Sequence, residues 1–298
     1  MRTMVISGGG SKGAYGGGIA SYLLKNRPSY DLFLGTSTGS LLVPLLAMGK
    51  VEVLREAYTT VRQSDIFDVN PFVVVPQVYE SKIRMNHLNT LRQFWRNRKT
   101  FGESHNLRAY IRRVYSPQDH RKLKNRQINV VVTVSNLSKN QVEYKSVLDH
   151  SYEDFVDWIW ISCNLVPFMS LVVKECCEYA DGGLGNFIPI KKAIDMGAKH
   201  VDAIILDTHY RALNYSPSKN LFNLIFRVFD YGVYQIQQKD IGLAELQAAI
   251  YEVDVDYYYI PQFLTSNSLI FNPEKMKKWW QQGYEYARSV PPRKGQKI

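Results

Sequence analysis

The stretch from residue 30 to residue 49, "YDLFLGTSTGSLLVPLLAMG", governs how the rest of the chain reads. An apolar run of strand length ends at Gly35-Thr36-Ser37-Thr38-Gly39. A second apolar run, of helical length, follows and stops at Gly49. G-x-S-x-G between a strand and a helix is the pattern of a nucleophile elbow. Gly35 and Gly39 let the backbone reverse sharply without Cβ clashes, so the Ser37 hydroxyl is carried to the carboxyl edge of a sheet. The helix that starts there turns unpaired N–H groups and the positive end of its dipole toward an oxygen that gains charge. The strand "YDLFLG" is a continuous apolar run, as in a parallel sheet covered on both faces.

Just upstream, "TMVIS" reads as another strand, and it runs directly into "GGGSKGAYGGG", residues 8–18. Glycine loses more conformational freedom on folding than any other residue, so a cluster of this density marks a place where the backbone itself does the work. A phosphate cradle and an oxyanion hole both fit. Gly8, Gly10 and Gly13 satisfy G-x-G-x-x-G, the dinucleotide fingerprint, which also needs an acid at the end of the second strand. Asp31 has nearly the right spacing, but it begins that strand, and Ser37 stands at its end. From Ala14 to Leu24 the apolar spacing is helical. The opening is therefore β-α-β-α, the pattern of a sheet with helices on its faces. Neighbouring parallel strands end at one edge, which sets the glycine loop beside Ser37. The amides of Gly8, Gly9 and Gly10 can then point at the oxygen of a carbonyl under attack.

A serine nucleophile needs a base. The six histidines are His87, His105, His120, His150, His200 and His209. His209 follows the apolar strand "VDAIILDT" and could complete a triad, but triad folds of this class place their elbow after several strands and not after the second. Asp181, in "YADGG", is the other candidate: it ends a strand, and Gly182 and Gly183 permit a tight turn. There is no metal-ligand spacing, and neither calcium nor any other cofactor is expected.

Farther along, "VEVLREAYTTVRQ" is helical, and "PFVVVPQVY", residues 71–79, reads as a loop or a binding wall. Residues 86–115 form basic, aromatic-rich helices. "INVVVTVSN" and "QVEYKSV" are neighbouring strands, "YEDFVDWIWISC" is a helix, and "LVVKECCEYADGG" is a strand entering a turn at Asp181. A long amphipathic helix spans Leu221 to Ile250. It is followed by a strand at "DYYYIP", a last helix from Pro273 and a frayed basic tail at 291–298. The N-terminal "MRTMVI" lacks the apolar core of a signal peptide, and no apolar run reaches the length of a membrane span. Cys163, Cys176 and Cys177 read as reduced, buried thiols. Together these features point to a cytoplasmic protein able to sit peripherally on a membrane.

The formal charge is +10, and thirteen of the 37 Lys and Arg residues lie between Lys82 and Arg126 against two acids, Glu103 and Asp119. Such a block serves an anionic membrane surface, nucleic acid or a solvated face. The interleaved Phe94, Trp95, Phe101 and Tyr110 suit a lipid headgroup boundary. Nucleic acid binding would leave the glycine, serine and aspartate placement without a purpose and is not expected.

"GGGSKG", "GTSTG" and "DGG", in that order, resemble the patatin-like phospholipase family, and the resemblance extends over most of the chain. "SCNLVPFM", with Pro167, is similar to the family's block ahead of its aspartate. "DGGLGNFIPI" matches its DGG-x-x-x-N-x-P run at Asp181, Gly182, Gly183, Asn186 and Pro189. "FNPEKMKKWWQQGYEYA" is similar to its closing helix. The segment at about 51–126 matches least. The resemblance implies one α/β/α sandwich over residues 1–290, with a mostly parallel sheet. It also implies a Ser37–Asp181 dyad without histidine, an oxyanion hole at Gly8 to Gly10, and Lys12 as that loop's basic residue. The activity implied is hydrolysis of fatty-acyl esters of phospholipids or lysophospholipids, with transfer to another acceptor as the alternative. A carboxylate is a weak base in water, so burial has to raise the pKa of Asp181.

Overall fold

The computed structural model describes residues 1–75, 82–210 and 217–295. The elements follow the order β1 (Arg2–Ile6), α1 (Gly13–Asn26), β2 (Leu32–Thr36), α2 (Thr38–Ala47), α3 (Val51–Thr60), α4 (Gln63–Ile66), β3 (Phe72–Val75), β4 (Lys82–Met85), α5 (His87–Trp95), α6 (His105–Val114), α7 (Pro117–Asn125), β5 (Asn129–Asn136), β6 (Gln141–Ser146), α8 (Tyr152–Ser162), β7 (Val172–Lys174), β8 (Cys177–Asp181), α9 (Ile190–Asp195), β9 (His200–Ile205), α10 (Leu221–Ile250), β10 (Asp254–Tyr259), α11 (Pro273–Ser289) and β11 (Arg293–Lys294).

β1 pairs in parallel with β2 and β9, β2 with β5, and β9 with β10, so the centre of the sheet is parallel. Side chains alternate across it. Met4, Ile6, Val130 and Val132 join one apolar core, under α1, α2, α8 and α11. Val5, Leu34, Val131 and Ala203 join the other, against α9 and the second half of α10. The result is the α/β/α sandwich, with β6, β7, β8 and β11 added antiparallel.

The register around β5 positions the site. Val131 pairs with Leu34 of β2 and with Ser146 of β6, so β2 and β6 flank opposite edges of β5. Val134 pairs with Glu143 of β6 and with Asp181 of β8, so β8 also lies opposite β6. β2 and β8 therefore share one edge of β5. β2 ends with Thr36 beside Thr133, and β8 arrives from the other direction to end with Asp181 beside Val134. The two strands meet head to head.

Four sequence expectations change. "LVVKECCEYAD" is a hairpin and not one strand: Lys174 faces Cys177, and Glu175 and Cys176 form the two-residue turn with φ of 52° and 60°. Both central residues have positive φ, the pattern of a type I′ turn, here without the glycine that announces one. Cys176 is consequently exposed, while Cys163 and Cys177 are buried. Part of "PFVVVPQVY" is strand β3, paired with β4; its residues 76–79 lie outside the described residues. The tail is pinned at Arg293 and Lys294, which pair with Tyr257 and Asp256 of β10, and residues 296–298 lie outside the described residues.

Nor do all the early glycines serve the loop. In α1, a Cβ on Gly17 would overlap the Trp280 ring, and one on Gly18 would overlap the main chain of Trp280 and Tyr284. These glycines bring α1 against α11. Gly18→Val is expected to cost about 1–3 kcal/mol through overpacking. Gly232→Ala, in α10 with nothing within 4 Å of the added carbon, is expected to be neutral or stabilising by up to about 1 kcal/mol. Urea unfolding of both variants checks the contrast, and equal losses would contradict the packing role.

Candidate active site

Ser37 lies between β2 and α2 with φ 52° and ψ −120°, a conformation non-glycine residues rarely adopt. Close packing forces it. A Cβ on Gly35 would strike the main chain of Gly39, and one on Gly39 would strike the carbonyl of Ile6. The end of α8 then clamps the turn from both sides. The Ser37 N–H donates to Ser162 Oγ at 2.9 Å, and the Cys163 thiol donates to the Ser37 carbonyl at 3.1 Å. Ser162 is fully buried and also shares a 2.8 Å hydrogen bond with Ser40 Oγ. Sequence reasoning gave Ser162 and Cys163 no role, although they open the block "SCNLVPFM".

Asp181 is buried and faces Ser37. Its Oδ1 accepts the Gly183 N–H at 2.7 Å. Burial raises its pKa to about 7, opposed by hydrogen bonds from the Ser37 hydroxyl and the Gly183 amide. Gly182 is required by closeness, since a Cβ there would overlap the Thr133 main chain. The pKa of Asp181 thus lies near neutral pH because the carboxyl is buried.

The glycine loop leaves β1 level with the elbow, because Ile6 pairs with Gly35. Gly10 has φ +54°, and its carbonyl is tied down by Tyr58 Oη at 2.6 Å and Thr38 Oγ1 at 3.2 Å. The three expected amides are not equivalent. Gly8 N–H already donates to the Phe187 carbonyl at 3.2 Å, so it is committed to the loop. Among the described residues the N–H groups of Gly9 and Gly10 have no acceptor. Lys12 pairs with Asp207 at 3.5 Å. Asp240 of α10, a residue the sequence did not single out, accepts the amides of Phe187 at 2.6 Å and Ile188 at 3.1 Å. It thereby anchors the segment that holds Gly8.

Gly9, Gly10, Ser37 and Asp181 all line one cleft of about 1450 Å³. Its other walls are mainly apolar, from α2, α3, α6 and the first turns of α10, with Leu45, Leu107, Ile111 and Phe226 among them. This exceeds the usual range for small-molecule sites. His209 is not part of it. That ring contacts Arg293 and packs on Tyr259. His120 bonds Tyr115, and His200 faces Asp254. Among the described residues no group of three or more His, Cys, Asp or Glu side chains is disposed to hold a metal ion.

A mostly parallel sheet between helices, with a strained serine and a buried aspartate meeting on one strand edge, defines an α/β/α fold of the nucleophile-elbow class. The chain belongs to the patatin-like phospholipase family, whose family model matches residues 4–194. Among solved structures it is similar to the crystal structure of VipD from Legionella pneumophila, at 13% identity and a TM-score of 0.49. The similarity covers 96% of this chain and 66% of that one, so the chain spans just under two thirds of that structure's length. No curated protein matches the sequence.

The raised Asp181 pKa has a consequence for stability. In the unfolded chain this carboxyl loses its proton near 3.8, and in the native one near 7. Between these values the native state holds the extra proton, so its stability falls as pH rises through that window. Asp181→Asn removes the penalty. The variant is expected to unfold at a higher temperature than the parent above pH 7, with the gain shrinking toward zero as pH falls below 3.8. A difference independent of pH, measured by thermal unfolding, would contradict the burial of an ionisable Asp181.

Proposed function

We propose that the protein is a lipid acyl hydrolase that cleaves fatty-acyl esters of phospholipids or lysophospholipids through Ser37 and Asp181. The observation that carries this reading is the end-to-end meeting of β2 and β8, which sets Ser37 against a buried aspartate with a pKa of about 7. That value suits a general base working near neutral pH. Asp181 takes the hydroxyl proton as Ser37 Oγ attacks the ester carbonyl. The N–H groups of Gly9 and Gly10 hold the oxyanion, a narrower hole than the three glycines of the motif. The alcohol leaves with the proton from Asp181, giving an acyl-Ser37 intermediate. Asp181 then draws a proton from a water molecule that releases the fatty acid. The volume and apolar walls of the cleft support a long acyl chain as the group transferred. Lys12, paired with Asp207 at 3.5 Å, belongs to the glycine loop and lines the same cleft.

The test is mass spectrometry of products from mixed phospholipid vesicles. Wild type is expected to release free fatty acid and a lysophospholipid. Folded Ser37→Ala is expected to release none, and Asp181→Asn at least about 10³-fold less, the scale of losses for catalytic units. His209→Ala should retain most of the activity. Acyl transfer in place of release, with glycerol or a lysolipid added, would assign the alternative, an acyltransferase. Full activity in folded Ser37→Ala would remove the reading altogether.

A further inference from the structure

The basic segment does not form one face. In α6, Arg108 pairs with Asp157 at 2.6 Å and Arg112 pairs with Glu153, both on α8. In α7, Lys124 donates to the His150 carbonyl at 3.3 Å. These charges are spent on the body of the protein. Upstream, Lys82 and Arg84 on β4 and Arg92, Arg96 and Arg98 in and after α5 are exposed, and among the described residues none makes an ion pair. No acid occurs between Lys82 and Gly102.

That same stretch carries an apolar surface. Leu88, Phe94 and Trp95 are 77–80% exposed, and Leu91, one turn after Leu88, is half exposed. A second apolar face lies at the start of α10. The inner side of α10's opening turns packs Phe222 and Phe226 on Phe72 of β3, with ring centroids 6.3 and 5.8 Å away. Its outer side presents Leu221, Leu224, Val228 and Tyr231, at 3-4-3 spacing along one helical face; Leu221, Val228 and Tyr231 are 62–72% exposed. A helix apolar on both sides is ordinarily covered on both. The contacts with Phe72 set the start of α10 against the β3–β4 hairpin that leads into α5, and β4 and the start of α10 both line the cleft.

We propose that α5 and the first three turns of α10 form a two-part docking face that seats the mouth of the cleft on an anionic phospholipid bilayer. The proposal rests on the lipid-hydrolase reading for the purpose of the face, but not for its existence. The occupant follows from chemistry. The exposed Leu88, Phe94 and Trp95 of α5, with Arg92, Arg96 and Arg98 in the same stretch, match the boundary between acyl chains and anionic headgroups. A second copy would bring the same arginines face to face. The segment that binds lipid is thus narrower than Lys82 to Arg126 and includes a helix well outside it.

Vesicles of ether-linked phospholipid, which have no carboxylic ester to cleave, separate this claim from catalysis. Ser37→Ala protein is mixed with dialkyl phosphatidylcholine vesicles, with or without about one third dialkyl phosphatidylglycerol, and sedimented. Tight binding is expected only with the anionic lipid, weakening as salt screens the charges. On that background, Leu88→Ser with Trp95→Ser, and separately Leu224→Ser with Val228→Ser, should each weaken binding about tenfold or more, because apolar area no longer leaves water. Arg121→Glu with Lys122→Glu, on α7, should change it less than about threefold, since the proposed face is made by α5 and α10 and does not include α7. Two separate pairs guard against misfolding, which thermal unfolding reports. Unchanged binding in both folded pairs would overturn the proposal, as would equal binding to the two vesicle types. So would a concentration-dependent dimer that the same substitutions dissolve, since it would give the face to a second copy.

Discussion

β5 has only one edge free of β6, and two strands divide it. β2 takes the first part and runs one way, β8 takes the last part and runs the other, and their carboxyl ends meet between Thr133 and Val134. Everything at the site depends on that arrangement. β8 delivers its last residue, Asp181, into the gap, and β2 delivers the residue that follows it, Ser37, so the two are brought together by backbone hydrogen bonding and not by flexible side chains. The rest of the local structure reinforces it: Asp181 N–H bonds the Asn164 carbonyl at 2.9 Å, and the residues just before Asn164, Ser162 and Cys163, clamp the elbow. One turn at the end of α8 thus holds both halves of the pair. Groups held this way need little reorganisation when charge develops, which is where most catalytic electrostatics gain their strength.

The same compactness sets the electrostatics. With the carboxylate removed from water and helped by only two hydrogen bonds, its charged form is disfavoured, and its pKa rises to about 7. A protein gains no stability from such a residue. The strained φ of Ser37 is a second local cost. Both are concentrated in one place, while the neighbouring strands β1, β2 and β5 are almost wholly buried. This distribution is what a site that trades stability for reactivity looks like. The second half of α10 packs on the sheet through Ile241 and Ala244, and Asp240, in that half, fixes the loop behind Gly8. Its first half reaches out to the mouth of the cleft. One helix of 30 residues, about 45 Å long by its rise per residue, therefore connects the core to the surface beside the entrance.

Much of this was legible in the sequence because it is written in local patterns. Strand, glycine-flanked serine and apolar helix form a contiguous unit, and so do strand, Asp181 and two glycines. The bounds of α10 also fall where its pattern begins and ends, at Leu221 and Ile250. What escaped reading depends on pairs of distant residues. Nothing near Ser162 announces that its hydroxyl receives the Ser37 amide, and nothing near Asp240 announces Phe187. The β7–β8 turn was invisible because Glu175 and Cys176 adopt positive φ without a glycine. Gly16 to Gly18 misled in the opposite sense: their density beside the loop suggested one purpose, whereas Gly17 and Gly18 serve the contact between α1 and α11, and Gly16 lies against Leu206. The clustered charges between Lys82 and Arg126 likewise read as one patch, although the ion pairs to α8 divide it.

The most direct measurement is labelling by a long-chain alkyl fluorophosphonate, which reacts only with a serine activated by a base and an oxyanion hole. Intact-protein mass spectrometry counts the adducts, peptide mapping locates them, and the rate is followed across pH. The expected result is a single adduct on Ser37, formed at a rate that rises as Asp181 ionises and levels off above about 7. Asp181→Asn should abolish that rise, and His209→Ala should leave it in place. An adduct elsewhere, no adduct on folded protein, or a rate that follows His209 and not Asp181 would contradict the pairing of Ser37 with Asp181.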